Sequence, residues 1–341
     1  MPASRSAFII VKYRIKICTR LFFYVFFSTS LIACGGSSSD SAELQVSLAP
    51  DEAFAGNDTD AGTDADRASS GEAGNVSGLF TPSDITHLAV VTGQSNVEAS
   101  GTLFDPFLDH PDPRVFAFTD EGWQVADLHQ VWDENAHPGN HALTDPNNSP
   151  NNNFVFHFGK SLAQVDNNAV VGFIVLAAPG EGIANWDFES PFYLKMRSKI
   201  NNALAQLPQK DKIDIMLWHQ GESDAQYEGT SDPDATGFTD KNSLEYTNYY
   251  QIKLNDVIDN FRAEPWGRAD LPFICGETRI GFEVNRRLLE LNEDDDPNTY
   301  CVHATDLPFT PIDPSGAHFS AVGLRELGRR YMQAYLDILN N

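Results

Sequence analysis

The sequence is poor in positive charge. Lys and Arg together number 23 among 341 residues, against 48 Asp and Glu, and the formal net charge is −25 at pH 7. A folded surface of this kind repels nucleic acid and anionic lipid, so we expect neither as a direct partner. The same self-repulsion favours a monomer.

Cysteine is also scarce, with four residues in the whole chain. Cys18, Cys34, Cys275 and Cys301 form no CxxC or Cys/His cluster with the spacing of a zinc site. The sequence therefore predicts no metal centre.

The N-terminal segment lacks a hydrophobic run long enough for an ordinary membrane span. Residues 21–33 form an apolar run of 13, and the first 33 positions hold five basic residues and no acidic one. This pattern fits a signal peptide. The run ends in Leu31-Ile32-Ala33-Cys34-Gly35, which resembles a bacterial lipobox. The resemblance implies that residues 1–33 are removed and that Cys34 is lipidated. Because no Asp follows Cys34, it also implies a cell-surface lipoprotein of the outer membrane. An ordinary signal peptide with a chance cysteine is the alternative.

Residues 34–80 consist mainly of Ser, Gly, Ala and Asp, and they offer little to bury. This composition predicts an acidic, disordered linker. From about residue 81 the composition becomes globular, so we place one domain over residues 81–341.

Short apolar runs alternate with helical patterns along this domain. The alternation predicts βαβ units and hence an α/β fold, a flavodoxin-like three-layer α/β/α sandwich around a mainly parallel sheet of roughly five strands. The strand candidates are His87–Thr92, Ala169–Ala177, Ile213–Trp218, Leu271–Cys275 and Tyr300–Ala304, with Val115–Phe118 as an extra edge strand. The helix candidates are Phe154–Val165, Tyr193–Gln206, Leu244–Arg262, Glu283–Leu291 and Ala321–Leu339.

Cys275 and Cys301 lie near two strands that we expect to be neighbours. An exported compartment permits a disulfide between them. We favour two buried free thiols, because a bridge between adjacent strands is geometrically awkward.

One apolar run ends abruptly in a polar motif. The strand candidate His87–Thr92 is followed directly by Gly93-Gln94-Ser95-Asn96. Open α/β sheets place their chemistry outside the carboxyl ends of the strands, so Ser95 stands where a nucleophile is expected. A serine N-cap at a strand-to-helix turn is the alternative interpretation.

Further polar residues follow later strands. Gly180 and Gly182 come after the second strand candidate, Gln220 and Glu222 after the third, and His318 after the fifth, just before the last helix. Each alone has an ordinary structural interpretation as a turn, a cap or a packed side chain. Together they offer what acyl transfer by serine requires: a base, an acid that orients the base, and donors for the developing oxyanion.

Four motifs at these strand ends form a specific combination. They are Gly93-Gln94-Ser95-Asn96, the Gly-rich block that ends in Ile183-x-x-Trp186, Trp218-x-Gln220-Gly221-Glu222-Ser223-Asp224, and His318-Phe319-Ser320-x-x-Gly323. The combination resembles the sialate O-acetylesterase-like branch of the SGNH hydrolases, also called carbohydrate esterase family 6 (acetylxylan esterase-like), over roughly residues 84–341. The resemblance implies the three-layer fold and hydrolysis of acetyl esters on sugars, without a metal or organic cofactor.

The resemblance also implies a role for each motif. Ser95 is expected as the nucleophile, and His318 as the general base that then serves as acid to the leaving sugar hydroxyl. The expected oxyanion donors are the N–H groups of Ser95 and Gly180 and the side chain of Gln220, which stands where many SGNH enzymes have Asn. The candidate substrate-binding residues are Gln94, Asn96 and Trp186.

The chain departs from the family pattern at two points. Many members carry Asp three residues before the catalytic His, but here that position is Ser315 and the nearest acid is Asp313. In some members of the family, the Glu of the Gln-Gly-Glu block looks like the acid that orients the histidine, in place of the Asp. That residue is Glu222 here, and we favour it over Asp313 as the orienting acid. The second block reads Gly180-Glu181-Gly182, so the choice between its two glycines stays open.

The sequence therefore predicts a surface-tethered serine esterase that removes O-acetyl groups from carbohydrates, such as acetylated xylan or sialic-acid-like glycans. One alternative is an esterase or lipase of the same fold that acts on non-carbohydrate esters. Another is a non-catalytic sugar-binding surface lipoprotein, which the displaced acid supports. Trp186 is expected either at the sugar-facing wall or in the core.

Overall fold

The computed structural model describes residues 79–98, 104–128, 152–225, 244–310 and 316–341. The chain divides into two units, Met1–Ala68 and Ser69–Asn341, and every described residue belongs to the second. The predicted signal peptide and the lipidation site at Cys34 lie outside the described residues.

Seven strands of the described residues form a single sheet. Their bounds are β1 His87–Gly93, β2 Val115–Thr119, β3 Gly122–Val125, β4 Val171–Ala177, β5 Ile215–His219, β6 Phe273–Gly276 and β7 Thr299–Val302. They lie in the order β3-β2-β4-β1-β5-β6-β7, and every neighbouring pair is parallel except the antiparallel β2–β3 hairpin. The predicted α/β architecture is confirmed, but the sheet has seven strands where roughly five were expected.

The two additional strands are β2 and β3. The expectation that Val115–Phe118 forms an edge strand is wrong, because β2 pairs with β4 on one side and with β3 on the other. The edge strand on this side of the sheet is β3, which has only four residues and is too short to show a period-2 pattern in the sequence.

Helices cover both faces of the sheet. Their bounds are α1 Ser95–Glu98, α2 Phe154–Val165, α3 Pro191–Leu204, α4 Glu222–Ala225, α5 Leu244–Ala263, α6 Phe282–Glu290 and α7 Ala321–Leu339, with short 3₁₀ turns at Pro82–Asp84, Ile183–Trp186 and Leu291–Glu293. Side chains of α3, α5 and α6 share one apolar core with Leu88 and Val90 of β1. Side chains of α2 and α7 share another with Ala89 and Val91. Alternate residues of the central strand thus enter opposite cores, as expected for a parallel sheet buried on both faces.

The register brings the carboxyl ends of the central strands together. Gly93 at the end of β1 pairs with Ala177 at the end of β4 and with His219 at the end of β5. The polar motifs that follow these three strands therefore start from one edge of the sheet. This alignment positions the candidate site.

Cys275 and Cys301 form a disulfide, so the expectation of two free thiols is wrong. They are directly paired residues of the parallel strands β6 and β7, with their Cα atoms 4.3 Å apart. The strand register brings the two side chains close enough to bond, which sequence spacing could not reveal.

None of the helices among the described residues is both long enough and apolar enough to cross a bilayer.

Candidate active site

A tight turn after β1 positions Ser95. Gly93 has φ of +148°, and a Cβ at this position would lie 1.9 Å from the backbone oxygen of His219. The glycine therefore allows the ends of β1 and β5 to approach closely. The N–H of Gln94 donates to the same oxygen at 2.9 Å, and Ser95 begins α1 directly afterwards.

Ser95 and His318 meet although 223 positions separate them in the chain. The Oγ of Ser95 lies 2.7 Å from Nε2 of His318. The backbone oxygen of His318 accepts from the N–H of Thr310 at 2.9 Å. Two residues later Ser320 caps α7, since its side chain accepts from the N–H of Gly323 at 3.2 Å. A hydroxyl within hydrogen-bond reach of an imidazole is the pairing that an activated serine needs.

Asn96 holds the backbone on both sides of His318. Its Nδ2 donates to the oxygen of Ala317 at 3.1 Å, and its Oδ1 accepts from the N–H of Phe319 at 3.2 Å. The side chain is fully buried. Asn96 therefore fixes the position of the histidine through its two chain neighbours.

Glu222 is joined to this arrangement through Asn96. Its Oε1 accepts from Nδ2 of Asn96 at 2.6 Å and lies 3.3 Å from Nε2 of His219. Burial disfavours the charged form, but the interactions with His219 and Asn96 outweigh it, so the pKa of the Glu222 carboxyl lies below its ordinary value. Its second oxygen, Oε2, is buried and has no hydrogen-bond partner among the described residues.

An acid that orients the base directly would bond to the His318 side chain. Among the described residues, Glu222 makes no such bond. Within the described ranges, the side-chain partners of the Glu222 carboxylate are Asn96 and His219, and His318 is not one of them. Asp313, the alternative acid, lies outside the described residues. The choice between the two acids stays a prediction.

Gly180 lies at an open point of the turn after β4. It has φ of +78°, and a Cβ there would meet no atom within 4 Å. Gly182, by contrast, precedes the 3₁₀ turn with φ of −75°. The N–H of Ala178 donates to the oxygen of Gly93 at 2.8 Å, which ties this turn to the end of β1. An open glycine beside that junction favours Gly180 as the backbone donor.

The Gln220 amide connects two turns. Its Nε2 donates to Asp224 and lies 3.4 Å from the oxygen of Glu181, while its Oε1 is buried without a hydrogen-bond partner in the described part of the chain. Asp224 also accepts from the N–H of Ile183 at 3.1 Å. Gln220 thus braces the turn after β5 against the turn after β4, and its oxyanion role stays a prediction.

The candidate substrate-binding side chains are buried. Gln94 accepts at Oε1 from the N–H groups of Gly221 and Ser223, at 3.0 and 3.2 Å. Trp186 donates from its indole to Oγ1 of Thr92 at 2.8 Å and is fully buried. These contacts give Gln94 and Trp186, like Asn96, a packing role, and substrate contact stays a prediction for all three.

Two residues of the site were not singled out from the sequence. His219 ends β5, and its Nδ1 lies 3.1 Å from the hydroxyl of Tyr331, which donates to the oxygen of Trp218 at 2.7 Å. The position of His219 at the end of an otherwise apolar strand is a signal from which it could have been predicted. Tyr331 sits in the apolar face of α7 and carries no such signal.

The described residues contain no group of three His, Cys, Asp or Glu side chains that could hold a metal ion.

Comparisons with known proteins show what this chain is similar to. Residues 85–337 match the family described as carbohydrate esterase, sialic acid-specific acetylesterase (SASA). No curated protein sequence matches the chain. Among solved structures, a protein from Arabidopsis thaliana is 20% identical with a TM-score of 0.54, and the match covers 73% of this chain and 97% of that one.

Two further solved structures are similar at lower scores. NanS is 18% identical with a TM-score of 0.48, covering 75% of this chain and 98% of that one. A carbohydrate acetylesterase from Xanthomonas citri is 16% identical with a TM-score of 0.46, covering 73% of this chain and 55% of that one. At identities this low, the likeness to the Arabidopsis thaliana protein shows a shared fold.

Proposed function

We propose how this chain, which belongs to the sialic acid-specific acetylesterase family of carbohydrate esterases, removes O-acetyl groups from carbohydrates. The observation that carries the proposal is the 2.7 Å approach of Ser95 Oγ to His318 Nε2. This distance suits transfer of the hydroxyl proton to the imidazole.

The reaction proceeds in two halves. Ser95 Oγ attacks the acetyl carbonyl carbon while His318 Nε2 takes the hydroxyl proton. The tetrahedral intermediate collapses, and His318 gives that proton to the sugar oxygen as the ester bond breaks. A water molecule then attacks the acetyl-serine, with His318 again taking a proton, and acetate leaves with Ser95 restored.

Backbone N–H groups stabilise the negative oxygen of the tetrahedral intermediates. We assign this role to Ser95 and Gly180, because Gly180 lies at the open point of its turn. Gln220 is a further donor only if its amide turns away from Asp224, to which it donates. Donors that are already fixed in place stabilise developing charge without reorganisation.

We assign Asn96 and Glu222 the role of positioning the base. Asn96 bonds the backbone on both sides of His318, and Glu222 accepts from the same amide group. A carboxylate can only accept, so Glu222 fixes which end of the Asn96 amide faces it. The loop that carries His318 is therefore held through a chain of two side chains.

The first test is acetate release by the purified protein from acetylated xylan and from an O-acetylated sialic acid, with p-nitrophenyl acetate as a third substrate. Ser95→Ala removes the nucleophile, so we expect kcat to fall about 1,000-fold or more on every substrate. Ser161→Ala on α2 is the matched control and should keep wild-type rates. Turnover that survives in Ser95→Ala would refute the mechanism.

The same assay distinguishes the alternatives. A same-fold esterase on other esters would cleave octanoyl p-nitrophenyl ester as well as the acetyl ester and would release no acetate from either glycan. A sugar-binding protein without activity would turn over none of the substrates. Acetate release from one glycan only would identify the substrate.

We also propose that the protein is a lipoprotein anchored through Cys34, as the lipobox-like segment before this residue suggests. Two or more acyl chains on one residue give stable membrane attachment. In a bacterial host the full-length protein should sediment with the outer membrane, whereas Cys34→Ser should lose labelling by a fatty-acid probe. A wild-type protein that takes up no label would refute the anchor.

A further inference from the structure

The ring of His219 is fully buried and lies between two polar side chains. Its Nδ1 is 3.1 Å from the hydroxyl of Tyr331, and its Nε2 is 3.3 Å from Oε1 of Glu222. The rings of Phe154 and Phe319, which carry no charge, also contact it. Whether each ring nitrogen carries a proton therefore depends on what Tyr331 and Glu222 can donate or accept.

The hydroxyl of Tyr331 determines the state of Nδ1. Its oxygen lies 2.7 Å from the backbone oxygen of Trp218, which can only accept, so the hydroxyl proton is donated there. Burial raises the pKa of this hydroxyl well above its ordinary value, so the hydroxyl keeps its proton. Toward His219 the hydroxyl oxygen can then only accept. Nδ1 must therefore carry a proton and donate it to Tyr331.

The carboxylate of Glu222 determines the state of Nε2. Its Oε1 accepts from Nδ2 of Asn96 at 2.6 Å, and no lysine or arginine of the described residues pairs with it. A bare Nε2 would turn its lone pair toward this negative oxygen, and two acceptors repel each other. With a proton on Nε2 the contact becomes an ion pair, although the 3.3 Å approach is not an aligned hydrogen bond. A buried carboxylate needs such a counter-charge.

The backbone of His219 supports the turn that carries the proposed nucleophile. Its oxygen accepts from the N–H of Gln94 at 2.9 Å, one residue before Ser95. Its side chain leads in the other direction, through Glu222, toward His318. His219 therefore contacts the supports of both residues of the Ser95–His318 pair.

We propose that His219 is a buried imidazolium, that it is the compensating cation of Glu222, and that through this pair it positions the base. The inference rests on the proposed function, in which the base is His318. An ionised Glu222 gives Asn96 a charge-assisted hydrogen bond, and Asn96 bonds the backbone on both sides of His318. His219 is thus a positioning residue, since it acts through Glu222 and Asn96.

His157 is a matched control within the same molecule. It is also buried, and its Nε2 lies 3.5 Å from a carboxylate oxygen of Asp109. That carboxylate already pairs with Arg325, and burial lowers the pKa of His157 to about 3, so this imidazole is neutral. Two buried histidines, each beside a carboxylate, should therefore differ in charge.

The direct test is nitrogen NMR of the protein labelled at the histidine ring nitrogens, at about pH 8, where exposed imidazoles are almost entirely neutral. His219 should carry protons on both ring nitrogens and His157 on one. The variants His219→Gln and His157→Gln assign the two signals. Glu222→Gln removes the anion, so His219 should lose one of its two protons there. A wild-type His219 with a single ring proton overturns the inference, whatever the variants show.

The positioning role is tested by the kinetics of p-nitrophenyl acetate cleavage. His219→Gln removes the cation that holds Glu222 ionised, so kcat should fall by about 10- to 100-fold with little change in KM. His157→Gln should keep the wild-type kcat. An unchanged kcat in His219→Gln, or an equal fall in His157→Gln, overturns the positioning role.

The spectrum needs no substrate, which separates this inference from the proposed function. If His219 carries two ring protons but the wild type cleaves no ester, the ion pair stands and the proposed function falls. If acetate release depends on Ser95 but His219 carries one ring proton, the proposed function stands and the inference falls.

Discussion

Asp109 and Glu222 are two of the buried carboxylates in the described part of the chain, and they are compensated in different ways. Asp109 is 0% exposed and accepts from Arg325 at 2.9 and 2.6 Å, from Nδ2 of Asn152 at 3.1 Å and from the N–H of Asp105 at 2.7 Å. Glu222 is 4% exposed, and its contacts are to Asn96 and the His219 ring, with one oxygen left without a hydrogen bond in the described part of the chain.

From this difference we predict that Asp109 serves stability and that Glu222 serves the site. Burial alone would raise the pKa of Asp109, but Arg325 and the backbone N–H of Asp105 outweigh it, and the pKa lies below its ordinary value. The nearby His157 is kept neutral because burial lowers its pKa to about 3, so Arg325 is the compensating cation. Both oxygens of the Asp109 carboxylate are thus paired with Arg325. The contacts of Glu222 lead through Asn96 to the backbone on both sides of His318, the proposed base.

The largest effect on stability should come from breaking the buried ion pair between Asp109 and Arg325. Asp109→Asn keeps the size of the side chain but leaves Arg325 without its carboxylate, and breaking a buried pair costs about 3–5 kcal/mol. We expect the free energy of unfolding, measured with urea on the full-length protein, to fall by that amount. Activity per folded molecule should change far less.

Asp306→Asn is the control for this prediction. Asp306 also pairs with an arginine, Arg330, but its side chain is 64% exposed, and exposed pairs contribute about 1 kcal/mol or less. Equal losses in the two variants would contradict the contrast between buried and exposed pairs. A large fall in kcat in the folded Asp109→Asn protein would contradict its purely structural role.

Much of the fold could be predicted from the sequence because its signals are local. The predicted bounds of α2 and α7, Phe154–Val165 and Ala321–Leu339, are the bounds observed. Their apolar periodicity continues over three turns or more, so it can be recognised from the sequence alone. The Ser95 and His318 motifs were also found, since each follows a strand or precedes a helix.

The remaining features depend on partners that are distant in sequence. Asp109 and Arg325 are 216 positions apart, and neither stands in a motif. The Cys275–Cys301 bridge depends on the register of β6 and β7, which no local pattern fixes.

The smaller effect should come from Glu222, the incompletely paired carboxylate, and it should appear in activity. Glu222→Gln keeps the shape but replaces the charge-assisted hydrogen bond from Nδ2 of Asn96 with a weaker neutral one, so the Asn96 amide no longer holds the loop of His318 as firmly. Misplacing a catalytic group by about 1 Å costs about 100-fold, so we expect kcat to fall by about 10- to 100-fold with little change in KM. Glu264→Gln is the matched control, since Glu264 is also buried but pairs with Arg197, next to the end of α5.

The same experiment decides between the two candidate acids. If Glu222 acts through Asn96, then Glu222→Gln and Asn96→Ala should be non-additive in kcat, because each interrupts the same chain of contacts to His318. Asp313→Asn should then leave most of the activity. A larger loss in Asp313→Asn, with full additivity of the other two variants, would make Asp313 the orienting acid. Glu222 would then join Asp109 as a carboxylate that serves packing alone.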